Sequence, residues 1–271
     1  MVDVRFITST NMKKEILEKF PSWIEENIDY SLCLSDDIDS LFSCIILNKI
    51  KGYEISWFYN FNSIYFADEY KEGTKLIAVD MDLCNNRRCW GNHVTIENKN
   101  SANLNTILEI NRNNYYKKFA GSTLLTILSY YNIDLSDLSE KQLELLISID
   151  VAFKQYYFNQ NLFKKYYNDI LEYPIFTEII EKHDKDYFYN IIKEYRLNEH
   201  IYINEDGKLK TNIELGKLGE LFPKLSFNLP ENTYKKKRDF KIIQSSWQQH
   251  EQKEIFSCAR TYKDALRYSI L

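Results

Sequence analysis

The chain is poor in the residues and runs that mark several classes of protein. It has only 7 glycines and 4 prolines among 271 residues, and 44% of its residues are apolar and 27% charged, so global disorder is not expected. No apolar run approaches the roughly 18 residues that a membrane-spanning helix requires. Residues 1–10 lack the apolar core of a secretory signal, so we expect a cytoplasmic protein with no membrane partner.

Net charge and cysteine content bear on nucleic-acid binding, the redox compartment and zinc binding. The net charge is −4, which gives no global basic field for nucleic acid, although a local basic site stays possible. The 5 cysteines are odd in number and irregularly spaced, which fits a reducing compartment. Cys84 and Cys89 could hint at zinc, but no second ligand pair lies nearby, so free thiols that flank a turn are favoured.

Alternating strand and helix patterns predict an α/β fold with a doubly wound, mainly parallel sheet. The predicted strands cover residues 2–8, 30–34, 54–59, 75–79 and, more weakly, 94–96. The predicted helices cover residues 10–28 (with a break at Pro21), 40–49, 121–131 and 140–149. Ser139 is a capping residue for the last of these, but no Glu follows at the third position, so a full capping box is not expected.

The chain divides into three predicted segments: an α/β domain over residues 1–155, a helical connector over 156–199, and a small α+β or β-rich domain over 200–271. The aromatic stripe of the connector is more typical of a core than of a base-stacking surface. In the last segment we expect a hairpin around Asp206 and Gly207, and strands at 225–229, 240–245, 255–259 and 267–271. The basic run 235–238 is either a solvated hairpin tip or a patch that contacts phosphate.

Four short stretches at the ends of apolar runs carry aspartates or a histidine, and they are the most informative feature of the sequence. They lie at residues 35–39, 79–82, 91–94 and 149–151. A lone Asp at a strand end is often only a helix cap. Carboxylates that converge at the carboxyl ends of parallel strands, where ligands bind, would instead form an oxygen-rich site for Mg²⁺ or Mn²⁺.

In this order, the four stretches resemble the motifs of the DHH phosphoesterase family, especially its RecJ-like branch. Members carry an aspartate loop after the first core strand, an aspartate after another strand, an Asp-His-His triplet, and an aspartate after a long helix. The resemblance covers roughly residues 28–160 and implies a DHH-like α/β domain with a two-metal site for Mn²⁺ or Mg²⁺.

The resemblance gives roles to individual residues. Asp37 and Asp39 match the first motif, Asp80 matches the aspartate that bridges two metals, and Asp150 matches the last motif. All four are therefore implied metal ligands. His93 falls on the second histidine of the triplet, which contacts phosphate, so His93 and Asp80 are the implied catalytic residues. A shift of one residue would make His93 a metal ligand instead.

The sequence departs from the family pattern at three positions. Ser35 stands where the first motif has His or Asn, and Gly91 and Asn92 stand where the triplet has Asp and its metal-binding His. The signature of the usual accessory domain is absent. Loss of two imidazoles should weaken Mn²⁺ more than Mg²⁺, which accepts a shell made only of oxygens. The remaining histidines are expected at the surface: His183, His200 and His250.

Two functions follow from these expectations. The first is a metal-dependent phosphodiesterase or exonuclease that hydrolyses single-stranded nucleic acid, a short oligonucleotide or a nucleotide messenger. The second is a catalytically inactive DHH-like subunit that binds nucleic acid, a nucleotide or a protein partner. A third possibility is an unrelated α/β protein whose aspartates imitate the order of the motifs.

Overall fold

The computed structural model describes residues 12–270, so the strand expected over residues 2–8 lies outside the described part. The strands are β1 (Tyr30–Leu34), β2 (Glu54–Tyr59), β3 (Ser63–Ala67), β4 (Lys75–Val79), β5 (Cys89–Trp90), β6 (Ser101–Ala102), β7 (Ile201–Ile203), β8 (Leu209–Thr211), β9 (Tyr234–Asp239), β10 (Lys241–Ser245), β11 (Ile255–Tyr262) and β12 (Ala265–Ile270).

The α-helices are α1 (Lys14–Leu17), α2 (Ile38–Lys51), α3 (Leu104–Ile107), α4 (Thr123–Tyr130), α5 (Glu140–Ser148), α6 (Lys154–Phe158), α7 (Gln160–Lys164), α8 (Ile175–Ile180), α9 (Lys185–Tyr195) and α10 (Leu215–Leu221). Short 3₁₀ turns cover Ser22–Glu25, Arg112–Lys117, Ile149–Val151 and Gln252–Glu254, and a π-helix covers Lys165–Ile170.

The core of the molecule is a seven-stranded sheet in the order β6-β5-β4-β1-β2-β3-β9. Neighbouring strands from β6 to β2 are parallel, whereas β3 and β9 are antiparallel additions at one edge. The α/β class and the mainly parallel sheet are thus confirmed. Strand β1 lies near the middle and all of its residues are buried, as expected for a parallel strand covered on both faces.

The two faces of the sheet are covered by different parts of the chain. Leu32 and Leu34 of β1 belong to the large core that includes helices α2, α4 and α5. Cys33, which lies between them and points to the opposite face, packs with Phe240 and Phe256 from the carboxyl-terminal region. The β10-β12-β11 sheet therefore lies against the central sheet on the side away from the main helices.

Helix α2 shows how local sequence fixes the element that follows β1. The side chain of Asp37 accepts a hydrogen bond from the backbone N–H of Ser40 at 3.0 Å, which caps the start of the helix. Gly52, at φ 76°, ends it in a left-handed conformation that suits glycine. The loop that carries the first aspartates is thereby held between two well-defined elements.

Several expectations about elements need correction. Of the helix expected over residues 10–28, the described residues 12–28 form only α1 and a 3₁₀ turn that starts after Pro21, because proline interrupts the hydrogen-bond ladder. Residues 94–96 form no strand and make only an isolated bridge between Val94 and Arg260. The capping box of α5 is complete after all, since Gln142 takes the place of Glu and accepts from the N–H of Ser139.

Two further corrections concern the carboxyl-terminal third. The alternating segment 225–229 has no partner strand, and its Phe227 packs edge-on against Phe42 of α2 with ring centres 4.7 Å apart. The basic run 235–238 is no hairpin tip but most of β9, the exposed edge strand of the central sheet. Lysines along an edge strand discourage pairing with other chains.

Other expectations stand as made or stay open. The hairpin around Gly207 is formed by β7 and β8. Because β9 joins the central sheet, part of segment 200–271 is continuous with the α/β core, and the three-segment division stays a prediction. Within residues 12–270, no helix is both long enough and apolar enough to cross a bilayer.

Candidate metal centre

The predicted site lies where the strand order of the sheet reverses. From β1 the chain moves to β2 and β3 on one side, and then returns to place β4 on the other side of β1. Crevices at the carboxyl ends of two such strands are the usual ligand sites of open α/β sheets. Asp37 and Asp39 follow β1, and Asp80 directly follows β4, so the topology brings them to the same crevice.

Asp39 is the deepest of the predicted ligands, with 1% of its surface exposed. Its two carboxylate oxygens accept hydrogen bonds from the backbone N–H groups of Thr123 and Leu124, at 2.7 and 2.8 Å. These N–H groups begin helix α4, and the free N–H groups of a helix start form an anion site. The anion that they bind in the structure is therefore the carboxylate of Asp39 itself.

Asp80 connects the same helix to the first motif. Its Oδ1 accepts a hydrogen bond from the hydroxyl of Thr123 at 2.6 Å, and its carboxyl group is near enough to that of Asp37 for each to influence the pKa of the other. The backbone of Asp80 is left-handed, at φ 55°, which costs a non-glycine residue roughly 1 kcal/mol or more. Only the surrounding structure can maintain that conformation, and it turns the carboxylate into the crevice.

Asp150 approaches from the helical side and completes the group. It follows α5, also has a left-handed backbone (φ 53°), and is exposed. Asn92 donates a hydrogen bond from Nδ2 to Oδ2 of Asp150 at 2.7 Å. Because Asp39 and Asp80 are buried, Asp37 is half-buried and Asp150 is exposed, the group runs from the interior to solvent and leaves an entry path.

Basic side chains compensate the charges of the four aspartates only in part: burial raises the pKa of Asp150 by more than the charges of His93 and Lys118 lower it. Within residues 12–270, no lysine or arginine forms an ion pair with any of them. Burial raises the pKa of Asp39 and of Asp80 well above its usual value, and the charges of the neighbouring aspartates raise it further. Burial likewise raises the pKa of Asp37. Asp150 is exposed as a residue, but its carboxyl group is hydrogen-bonded to Asn92 within the crevice, and the partial loss of water there raises its pKa to about 6.

The carboxylate oxygens of the four aspartates are ligands of the type that hard divalent cations take, but they are not arranged closely around one point. No three carboxylate or imidazole donor atoms of this group lie within 4.8 Å of one another, as judged over residues 12–270. Oδ1 of Asn92 is buried without a hydrogen-bond partner, so it adds a further oxygen donor beside Asp150. Oxygens alone suffice as ligands for Mg²⁺, and the two-metal arrangement stays a prediction.

His93 is held in a fixed orientation by Asp82. Nδ1 of His93 lies 3.1 Å from Oδ2 of Asp82, and its backbone N–H donates to the same oxygen at 3.2 Å. Asn103 donates to the other oxygen of Asp82 at 2.6 Å. Burial opposes the charged imidazole, but the hydrogen bond and charge of Asp82 outweigh it and raise the pKa of His93. This arrangement leaves Nε2 to contact a ligand.

The structure adds residues that the motifs did not single out. Asp82 orients His93, Thr123 binds Asp80, and Asn105 donates to the carbonyl of Asn92 at 2.7 Å. Asp82 was visible in the sequence as the second aspartate after β4. The roles of Thr123 and Asn105 have no sequence signal, because they depend on contacts across the fold.

The other histidines lie outside this group of aspartates. His200 is exposed and lies 3.2 Å from Asp36, next to the first motif. His250 contacts the hydroxyl of Tyr268 at 2.9 Å. His183 was expected at the surface, but only 22% of its side chain is exposed, because it stacks on Tyr187.

In comparisons with protein-family models, curated proteins and solved structures, no match to this chain was found.

Proposed function

We propose that this chain is a divergent metal-dependent phosphoesterase of the DHH type. The observation that carries the proposal is the gathering of Asp37, Asp39, Asp80 and Asp150 at the switch point of the sheet without any lysine or arginine partner in the described residues. Repulsion among these carboxylates destabilises the folded state unless cations or protons neutralise their charge. The finer DHH-like, doubly wound form of the fold belongs to the same proposal.

At two positions where the sequence departs from the family pattern, Gly91 and Asn92, the surrounding residues support the proposal. A Cβ atom at Gly91 would lie 2.2 Å from Oδ1 of Asp82, so the carboxylate of Asp82 fills the space that a side chain at 91 would need. Asn92 replaces an imidazole with an amide whose Oδ1 has no partner. The change at position 92 replaces a nitrogen donor with an oxygen donor, which favours Mg²⁺ over Mn²⁺.

The roles of the residues follow from these contacts. Asp37, Asp80, Asp150 and Oδ1 of Asn92 would hold the ions, which when bound would lower the pKa of a water and neutralise charge on the phosphate. Asp39 is fixed by α4 and adds negative charge at the base of the crevice. His93, oriented by Asp82, would donate from Nε2 to a phosphate oxygen. The substrate would be a phosphodiester in single-stranded nucleic acid, a short oligonucleotide or a nucleotide messenger.

Asp80→Asn tests the proposal directly. The wild type should cleave a fluorescent single-stranded oligonucleotide or a cyclic dinucleotide when Mg²⁺ or Mn²⁺ is added, and Asp80→Asn should abolish turnover because the amide cannot bridge cations. The matched control is Asp206→Asn, which makes the same chemical change at the exposed turn of the β7–β8 hairpin and should leave turnover unchanged. Equal turnover in wild type and Asp80→Asn would contradict the proposal.

The alternative of a catalytically silent binding subunit has one specific observation in its favour. Both oxygens of Asp39 are committed to α4, and the remaining donors are not closed around a single point. If the wild type binds an oligonucleotide or a cyclic dinucleotide but turns over neither of them with either metal, the silent subunit replaces the enzyme.

A further inference from the structure

A second group of candidate metal ligands lies on the amino-terminal half of α5, whereas Asp150 follows the other end of that helix. Glu140 and Glu144 are four residues apart, so their side chains share one face of α5. His183 reaches them from the turn between α8 and α9. Their donor atoms all lie within 4.8 Å of one another, and within residues 12–270 no other group of acidic, histidine or cysteine side chains is so close.

The distances are near those of a coordinated ion. Nε2 of His183 lies 2.8 Å from Oε1 of Glu144 and 4.0 Å from Oε1 of Glu140. Two ligands about 2.1 Å from a tetrahedral ion are themselves about 3.4 Å apart. The observed pairs lie on either side of that value, so small side-chain rotations would place all three donors around one ion.

The outer atoms of the ligands are already held by other side chains. Oε2 of Glu144 accepts from the hydroxyl of Tyr187 at 2.8 Å, and Oε2 of Glu140 pairs with the ammonium of Lys182 at 2.8 Å. The ring of His183 stacks on the ring of Tyr187, with centroids 3.7 Å apart. Metal sites commonly have such supporting contacts around their ligands. They leave the inner oxygens directed toward the imidazole.

Burial and charge favour a cation at this point. Glu144 is only 3% exposed, and a carboxylate buried to this extent requires a compensating charge. Among the ion pairs of the described chain, its only one is with the imidazole of His183, which is positive only when protonated, so a cation between the two groups would supply that charge permanently. The imidazole of His183 keeps 22% of its side chain exposed, and Glu140 lies at the surface, so an ion and its waters can enter.

We propose that Glu140, Glu144 and His183 bind one divalent transition-metal ion of the Zn²⁺ type. Carboxylate and imidazole together select such ions over Mg²⁺, and three protein ligands leave a position for water. The ion would connect α5 to the turn between α8 and α9. It would therefore stabilise the helix that leads into Asp150. The proposal does not depend on the phosphoesterase function.

The test uses the full chain in an Asp80→Asn background, which weakens the other candidate metal site by one carboxylate. After treatment with EDTA, Co²⁺ is added and its visible absorption is recorded, and Zn²⁺ is titrated by calorimetry. We expect one ion per chain, a Co²⁺ spectrum typical of tetrahedral or five-coordinate ligation, and a higher Tm with Zn²⁺. Glu144→Gln and His183→Gln should each weaken Zn²⁺ binding at least tenfold.

His250→Gln is the matched control, because it removes an imidazole that contacts only a tyrosine hydroxyl, and it should leave Zn²⁺ affinity unchanged. If Glu144→Gln does not fold, His183→Gln and Glu140→Gln decide the question, since both residues lie nearer the surface. No Zn²⁺ binding in the Asp80→Asn background, or binding that His183→Gln leaves unchanged, would overturn the proposal.

Discussion

For Asp39 and Asp80, the sequence motif indicates their position in the chain, and the structure shows their hydrogen-bond partners. The motif placed both at strand ends, and the structure shows that both are bound by the first turn of α4 through Thr123 and Leu124. The backbone N–H groups of α4, rather than a basic side chain, therefore offset part of the cost of burying Asp39. The first turn of α4 thus holds both carboxylates from the buried side of the crevice and leaves the solvent side free for cations.

Gly91 provides a test of how tightly the residues of the site are packed. In Gly91→Ala the new Cβ would lie 2.2 Å from Oδ1 of Asp82, so Asp82 and the imidazole of His93 must shift. We expect the free energy of unfolding to fall by about 1–3 kcal/mol and turnover to fall as well. Urea unfolding and the oligonucleotide assay measure the two effects.

Gly216→Ala is the control for that substitution. No atom lies within 4 Å of a Cβ at this position in α10, so the change should leave stability equal or slightly higher, because alanine favours the helix. Equal stability of wild type and Gly91→Ala would show that Asp82 is not confined as described.

At the scale of elements, α5 is positioned by its first turn and in turn positions Asp150. Ser139 and Gln142 satisfy the free N–H groups of that turn reciprocally, and Nε2 of Gln142 donates to the carbonyl of Leu221 at 2.8 Å. The same helix carries Glu140 and Glu144. Its start is therefore anchored both within itself and to the last residue of α10.

Ser139→Ala should cost about 1 kcal/mol of unfolding free energy, because the N–H of Gln142 loses its side-chain acceptor. Urea unfolding checks the value. Ser136→Ala, at an exposed position of the preceding loop that caps no helix, should change stability by less than about 0.5 kcal/mol. A cost for Ser139→Ala no larger than that of Ser136→Ala would contradict the capping role.

At the scale of the whole molecule, the carboxyl-terminal sheet is part of the site. The backbone N–H of Cys258 in β11 donates to the carbonyl of Asp82 at 2.9 Å, and that of Arg260 donates to the carbonyl of Val94 at 2.8 Å. Tyr59 of the central sheet also shares hydrogen bonds with the hydroxyls of Ser257 and Ser269, at 2.7 Å each. The last strands therefore hold the loops on which Asp82 and His93 lie.

The collected aspartates predict an unusual pH dependence for the metal-free protein. A carboxyl group with a raised pKa binds its proton more tightly in the folded state, so its contribution to stability is fully present below about pH 4. That contribution is lost as the pH rises through about 6 for Asp150, and the raised pKa values of Asp39 and Asp80 act in the same direction. We expect stability in EDTA to fall over this range.

Added Mg²⁺ should restore the stability of the wild type above pH 6, because the cation replaces the protons that the aspartates have lost. Chemical unfolding at pH 5, 6, 7 and 8, with EDTA or with Mg²⁺, measures both effects. Asp80→Asn should show a flatter profile, since one interacting charge is removed. A wild-type profile that does not change with Mg²⁺ would contradict the proposed centre.

The short-range pattern of the sequence determined the bounds of three central strands and the positions of the aspartates at strand ends. The alternation and apolar runs of β1, β2 and β4 located those strands at their observed bounds, and the order of the aspartate stretches predicted which carboxylates lie near the crevice. These features are local, because strand periodicity and the strand-end position of an aspartate are written in neighbouring residues. The two-residue strands β5 and β6 were missed, since they are too short to show a period.

Only the tertiary structure decided what surrounds the aspartates. The commitment of Asp39 to α4, the filling of the space beside Gly91 by Asp82, and the meeting of His183 with Glu140 and Glu144 join residues far apart in the chain. Likewise, the basic run 235–238 became an edge strand because β3 offered it a hydrogen-bonding partner. Such contacts depend on how the whole chain packs, and no local periodicity encodes them.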